Sequence, residues 1–267
     1  MKKIMISDVT LPMQCQTLKK ALSFWEKLSM ATGLEKAGVD AVELPALQGG
    51  KEDVVVNRTI ASTVKCQVSM PVGGCVETLN EAWRAGKIRV FGVSNWTHER
   101  IDEANAYAAA HGLQGFTVSS PNYGLADQVC DPWGGGCVTV SGPNNAAARA
   151  WYAANQMPLI AYSSLGRGFF SGKFRSDDPD AAKAILDPPS QKGYLCPENL
   201  ERLHRAEQLA AEKQCTVSQI AMRYIFSSPM NVFAVVSTQN LGRMQENIAA
   251  ALQPLTDAEA AWVDCRD

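Results

Sequence analysis

Seven short apolar runs alternate with stretches of helical periodicity along the whole chain, and this alternation restricts the fold more than any other feature. The runs are "IMISDVT", "AVELP", "CQVSMPV", "RVFGVSN", "GFTVSSPNY", "PLIAYSSLG" and "VFAVVST". Between them, Leu18 to Lys36 reads as a helix ending at Gly38. After a Gly49-Gly50 turn, Asp53 to Ser62 reads as another, and Val76 to Ala85 as a third with Gly86 as its C-terminal cap. Thr97 caps a helix that runs to Gly112, and "AAARAWYAANQ" forms the next. Leu200, Leu203, Ala206 and Ala210 mark one helix face. Thr216 with Gln219, and Thr256 with Glu259, have the spacing of capping boxes, and Met244 to Leu252 lies between them. The segments "LADQVCDPWGGGCVTVSGPNN" and Arg167 to Pro197 read as loops.

A strand-helix series gives a parallel sheet with helices outside it. Strands that are apolar at nearly every position suit a sheet covered on both faces. No G-x-G-x-x-G turn follows the first run, so a barrel fits better than an open dinucleotide-binding sheet. The expected fold class is α/β, a TIM-like (β/α) barrel. It is incomplete or seven-stranded, yet closed or nearly so, because a barrel of this type normally has eight strands and only seven runs are found. The helix Val76 to Ala85 is short, so "CQVSMPV" is expected to pair beside "RVFGVSN".

The chain of 267 residues suits one barrel domain over 1–267. A net charge of −2 gives no reason to expect nucleic acid or an anionic membrane as partner. No apolar run approaches the ~18 residues of a spanning helix. The start "MKKIMISDVT" does not read as a signal peptide, so a cytoplasmic location is expected. Eight cysteines include no C-x-x-C pair and only three histidines accompany them, so reduced thiols are expected and a zinc site is not.

From about Pro71 onward three motifs stand in order: "VETLNEAWRAGKIRVFGVSNW", "AYSSLGRGFFSGKF" and "VVSTQNLGRMQENI". Together they make this part of the chain resemble the aldo/keto reductase family. The resemblance implies a TIM barrel that binds a nicotinamide cofactor in an extended pose at the C-terminal ends of its strands. Ser94 and Asn95 would then offer a hydroxyl and an amide to the carboxamide. Ser120 stands where the family usually has Gln, Tyr162 would stack on the nicotinamide, and Ser163, Leu165 and Arg167 would follow the pyrophosphate. Thr238, Arg243, Glu246 and Asn247 match the family's adenosine clamp, and the last three share a helix face. An Arg at that place can pair with a 2′-phosphate, which points to NADP(H). Ser237 stands where the family often has Lys, which leaves NAD(H) open. Taken singly, Ser-Asn after a strand is also an ordinary helix cap, so the reading rests on the order and spacing of the set.

The family's chemistry uses an Asp, a Tyr, a Lys and usually a His in its first half, the Tyr giving a proton to a carbonyl oxygen. This chain has no tyrosine before Tyr107 and no histidine before His98. Lys65 and Asp40 precede their strands, the wrong end for a barrel site, and Glu43 is the one acid inside "AVELP". Residues 1–72, through "ISDVTL" and "LEKAGVDAVELP", instead resemble the HMG-CoA lyase, homocitrate and isopropylmalate synthase group of TIM barrels. They lack that group's metal-binding Asp, since Pro12 and Met13 follow "TL". A chain fused from two barrel families, joined near Met70 to Gly74 with residues 73–267 reductase-like, would account for one missing strand. A reductase whose first half has diverged is the other account. The expected function is an aldo/keto reductase-like oxidoreductase acting on a small-molecule carbonyl substrate, with turnover slow or absent. A cofactor-binding scaffold and a metal-dependent lyase are the alternatives.

Overall fold

The seven apolar runs become seven parallel strands, each shortened to between two and five residues. The computed structural model describes residues 6–17, 21–47, 50–238 and 240–266. The expected helix start at Leu18, the first two residues of "IMISDVT" and Gly49 of the expected turn lie outside these. In chain order the first elements are β1 (Ile6–Asp8), α1 (Thr10–Thr17), α2 (Phe24–Ala37), β2 (Ala41–Glu43), α3 (Lys51–Thr63), β3 (Gln67–Ser69) and α4 (Val76–Arg84). Then come β4 (Val93–Ser94), α5 (His98–Ala110), β5 (Ser119–Ser120), α6 (Ala146–Asn155) and β6 (Leu159–Ala161). The rest are α7 (Pro179–Ile185), α8 (Pro188–Tyr194), α9 (Pro197–Glu212), α10 (Val217–Phe226), β7 (Val232–Val236), α11 (Leu241–Ala251) and α12 (Asp257–Val263).

The sheet order is β3-β2-β1-β7-β6-β5-β4, so β3 and β4 are opposite edges of an open, half-barrel sheet. This corrects the expected pairing of "CQVSMPV" beside "RVFGVSN", and with it the expected closure. The length of the helix alone does not decide the pairing. Six residues, Met70 to Cys75, also lie between β3 and α4, and six extended residues reach about 20 Å. Moreover, α4 is tied to the far side of the gap. Asn80 exchanges two hydrogen bonds with the Gln114 backbone, at 2.9 and 2.7 Å, and Arg84 Nη2 donates to Gly112 O at 3.1 Å. Both edges are open to solvent, with Gln67, Ser69 and Ser94 exposed, and Val72 and Val90 in the adjoining segments exposed as well.

Side-chain alternation separates the two faces of the sheet. Ile6, Asp8, Val42, Leu159, Ala161, Val232, Ala234 and Val236 share one face through the strand register, and all are buried. This face meets the helices: Ser119 belongs to it and receives a 2.8 Å hydrogen bond from Tyr152 of α6. The opposite, concave face carries Ser94, Ser120, Ile160, Phe233, Val235, Ser7, Ala41, Glu43 and Ser69. Most of its residues are only half-buried, unlike those of a sheet covered on both sides.

Two other expectations change. The first helix is really two. Ser23 and Glu26 form a capping box, an S-x-x-E pattern that starts α2 at Phe24. The short α1 precedes it, opened by Thr10 with Pro12 in the first turn, where its missing N–H costs nothing. The second expected loop holds α7 and α8, each capped by an aspartate, Asp178 and Asp187, with Pro in the first turn. The capping boxes at Thr216 and Thr256 are both formed.

At the end of β1, Asp8 is wholly buried. Its carboxylate accepts from Thr10 N at 2.8 Å and Thr10 Oγ1 at 2.9 Å. Burial still dominates and pushes its pKa up to about 6 from 3.8, against the pull of the Thr10 bonds. A carboxyl raised in the folded state contributes stability below its unfolded pKa and loses it as pH rises through the folded one. Asp8→Asn is therefore expected to remove a loss of roughly 2–3 kcal/mol between about pH 4 and pH 6, read from urea unfolding across that range. The open sheet gives a second expectation. Amide hydrogen exchange should be fastest at β3 and β4 and slowest at β7, which has strands on both sides.

Candidate functional site

Strand ends at the C-terminal side of the sheet bring Ser94, Asn95 and Tyr162 around one cavity of about 330 Å³. Trp133, Gly135, Gly136 and Cys137 form its other wall. Ser94 Oγ donates to Ser120 O at 3.2 Å and Ser120 Oγ to Ile160 O at 2.9 Å, a chain of hydroxyls crossing from β4 to β6. Asn95 leaves β4 with φ +58, a left-handed conformation that asparagine tolerates better than most residues. Its Oδ1 accepts from Tyr162 OH at 2.6 Å and from Val138 N at 3.1 Å. The backbone donor fixes which end of the amide is oxygen. Asn95 Nδ2 is then a donor with no protein partner among the described residues.

Tyr162 has one phenolic proton, and Asn95 takes it. The 2.7 Å contact between Cys137 Sγ and Tyr162 OH therefore has the thiol as donor. Gln128 Nε2 in turn donates to Cys137 Sγ at 3.1 Å, and Tyr194 OH donates to Gln128 Oε1 at 3.0 Å. Burial, followed by the neighbouring Cys137, holds the Tyr162 phenol well above its ordinary pKa, and burial does the same for Tyr194. Both stay neutral donors at physiological pH.

The wall opposite Tyr162 is a glycine loop. Asp131 clasps its neck, accepting from Trp133 N at 2.7 Å and Cys137 N at 2.8 Å, bonds that hold the carboxyl below its usual range. Gly134, Gly135 and Gly136 all take positive φ, which only glycine adopts without strain. Trp133 meets Tyr162 edge-on at 5.7 Å, and the Arg167 guanidinium lies 4.8 Å from the Trp133 ring centre. Arg167 is also bound to Asp187 Oδ2 and Ser190 Oγ, each at 3.0 Å. In this structure Arg167 thus supports the loop wall. Ser163 and Arg167 have positive φ, as Asn95 does, and Leu165 packs on the core.

The remaining residues of the expected set stand at the end of β7, outside the cavity lining. Thr238 N donates to Thr10 Oγ1 at 2.9 Å, tying this corner to β1. Asn240 caps α11 by accepting from Gly242 N and Arg243 N. Arg243 and Glu246 are exposed and Asn247 half-buried, while Met244 turns into the core. The Arg243 guanidinium has no hydrogen-bond or ion-pair partner among the described residues. Sequence reasoning did not single out Trp133 or Cys137. The signal was available as "PWGGGC", a glycine run next to an aromatic residue within the long loop that follows β5.

The aldo/keto reductase family model matches residues 64–265. The chain is similar to the aldo-keto reductase yakc of Schizosaccharomyces pombe, whose name carries NADP(+), at 22% identity over 84% of this chain and 57% of the relative. It is similar to aldo-keto reductase str7 of Strobilurus tenacellus at 22% over 89% and 61%. With aldo-keto reductase YhdN of Bacillus subtilis the values are 25% over 66% and 48%. The chain thus spans about half to three fifths of the length of these curated relatives. Among solved structures, the thermostable aldo-keto reductase Tm1743, crystallised with the inhibitor epalrestat, matches with a TM-score of 0.65 at 14% identity. That match covers 99% of this chain and 94% of the other, a likeness of fold.

Tyr162→Phe removes the donor to Asn95 and the acceptor of Cys137 together. It is expected to cost about 1–2 kcal/mol in urea unfolding, since the bonds to Asn95 and from Cys137 are both lost. A change within error would mean that the network does not form in solution.

Proposed function

Because the chain belongs to the aldo/keto reductase family, we propose that it binds NADP(H) at the C-terminal end of its sheet and reduces a small-molecule carbonyl slowly. The observation that carries this reading is the cavity in which Asn95 and Tyr162 meet. A tyrosine ring forms one wall, and the Asn95 amide nitrogen, lacking a protein partner, suits a carboxamide oxygen. The donor set fits a nicotinamide. When bound, NADPH supplies hydride; the residues described here bind and orient it. Ser94 and Ser120 keep the strand ends in register, and Arg243, exposed at the first turn of α11, suits a 2′-phosphate. That suitability favours NADP(H) over NAD(H).

Slow turnover follows from two features. No tyrosine precedes Tyr107 and no histidine precedes His98, and Lys65 stands at the entry of β3, so the family's donor set has no counterpart in the first third. The concave face is also open to water between β3 and β4, which weakens electrostatic help to a developing alkoxide. The lyase-like reading of residues 1–72 is supported by "ISDVTL" and "LEKAGVDAVELP" and by the position of the gap, which falls at the expected join, Met70 to Gly74. Alignments with yakc and str7 that cover 84% and 89% of the chain run into this first third, and they support the diverged-reductase account instead. Among the described residues no helix is long and apolar enough to cross a membrane.

Arg243→Ala should weaken NADPH roughly tenfold to a hundredfold, the worth of a charge-assisted phosphate contact, and leave NADH within about twofold. Fluorescence titration of both cofactors decides it. Equal losses would remove the 2′-phosphate assignment, and no binding of either cofactor would remove the function.

A further inference from the structure

The concave face of the sheet carries one ionisable side chain among the described strands, Glu43, at the C-terminal end of β2. Its register pairs it with Ser69, and alternation places it on the same face as Ser94 and Ser120, opposite the buried Val42 and Asp8. The other concave positions are serine or apolar except Gln67. Among the described residues Glu43 makes no hydrogen bond and no ion pair, although it is half-buried. A carboxylate removed from water without a partner is costly, and taking up a proton relieves that cost.

We propose that Glu43 is the proton donor for carbonyl reduction, in place of the tyrosine this chain lacks. The proposal rests on the NADP(H) reading above. In the step, the carbonyl carbon receives hydride from the reduced cofactor as the carbonyl π-bond opens, and the carbonyl oxygen takes the proton of the Glu43 carboxyl. The carbonyl is reduced to an alcohol, the cofactor is oxidised, and the Glu43 carboxylate regains its proton from water.

The surroundings of Glu43 favour the acid form. Burial raises its pKa, with no charged group contributing. Of the elements packed on β2, β1 offers Ser7 and β3 offers Gln67 and Ser69 on this face. The titratable group of α1 is Cys15, and those of α2, which packs on the other face, are Glu26, Lys27, Glu35 and Lys36. Only the protonated fraction can donate, so reduction slows as pH rises through the Glu43 pKa.

The test uses the full chain and its Glu43→Gln variant. NADPH binding is read by fluorescence, reduction of 4-nitrobenzaldehyde by absorbance across pH, and the Glu43 carboxyl by ¹³C NMR titration with and without NADP⁺. The expected result has four parts: equal NADPH affinity in both proteins, a rate at least about tenfold lower in Glu43→Gln, a wild-type rate that falls with rising pH, and a Glu43 titration that moves on adding NADP⁺. Wild-type reduction above background that survives Glu43→Gln overturns the donor role and leaves the cofactor reading intact. So does NADPH binding without turnover, or a Glu43 titration indifferent to NADP⁺. Failure of the wild-type protein to bind NADPH removes the function itself, and the donor with it.

Discussion

One ladder holds the two parts of this sheet together. Because β3 and β4 do not pair, the first three strands reach the other four only through β1 against β7. The chain reinforces that ladder beyond its ends. Val9 N donates to Val236 O at 2.9 Å, and Thr10 Oγ1 donates to Thr238 O while accepting from Thr238 N. Asp8 is buried at the same place, despite the cost of a desolvated carboxylate, because it sets the turn that delivers Thr10. Behind the sheet, α2 packs on α11, so the helices repeat the joint that the strands make. The expected cofactor residues on α11 follow directly from β7, and their placement depends on this joint.

How much of the fold the sequence reveals depends on where each element takes its instructions. All seven strands and most helices are legible because hydrophobic periodicity is local. Pairing is not local. Nothing in "CQVSMPV" or "RVFGVSN" states whether the two meet, and the six residues between β3 and α4 have the reach for either arrangement. The missed elements, α1, α7 and α8, are helices of seven or eight residues opened by short polar side chains and proline. Such segments have composition typical of loops, and their helical state comes from capping and tertiary packing.

The site divides in the same way. Ser94, Asn95 and Tyr162 could be named from motif order, and they line one cavity. Arg167 could be named too, but its partners, Asp187, Ser190 and the ring of Trp133, come from distant parts of the chain. A guanidinium's use is decided by which acceptors reach it first. Glu43 lay in plain view as an acid within an apolar strand, yet only the register with Ser7 and Ser69 shows which face it occupies.

A closed barrel is a hoop: each strand is braced from both sides, and pulling one wall outward strains every ladder around the circumference. This sheet is a split ring. Its ends, β3 and β4, can spread by a small twist shared among the strands between them, with no hydrogen bond broken. The walls that carry Glu43 and Ser94 lie near those two ends, so no strand ladder braces the span between them. A sheet left open between β3 and β4 thus exchanges the stiffness of a hoop for a span that can adjust.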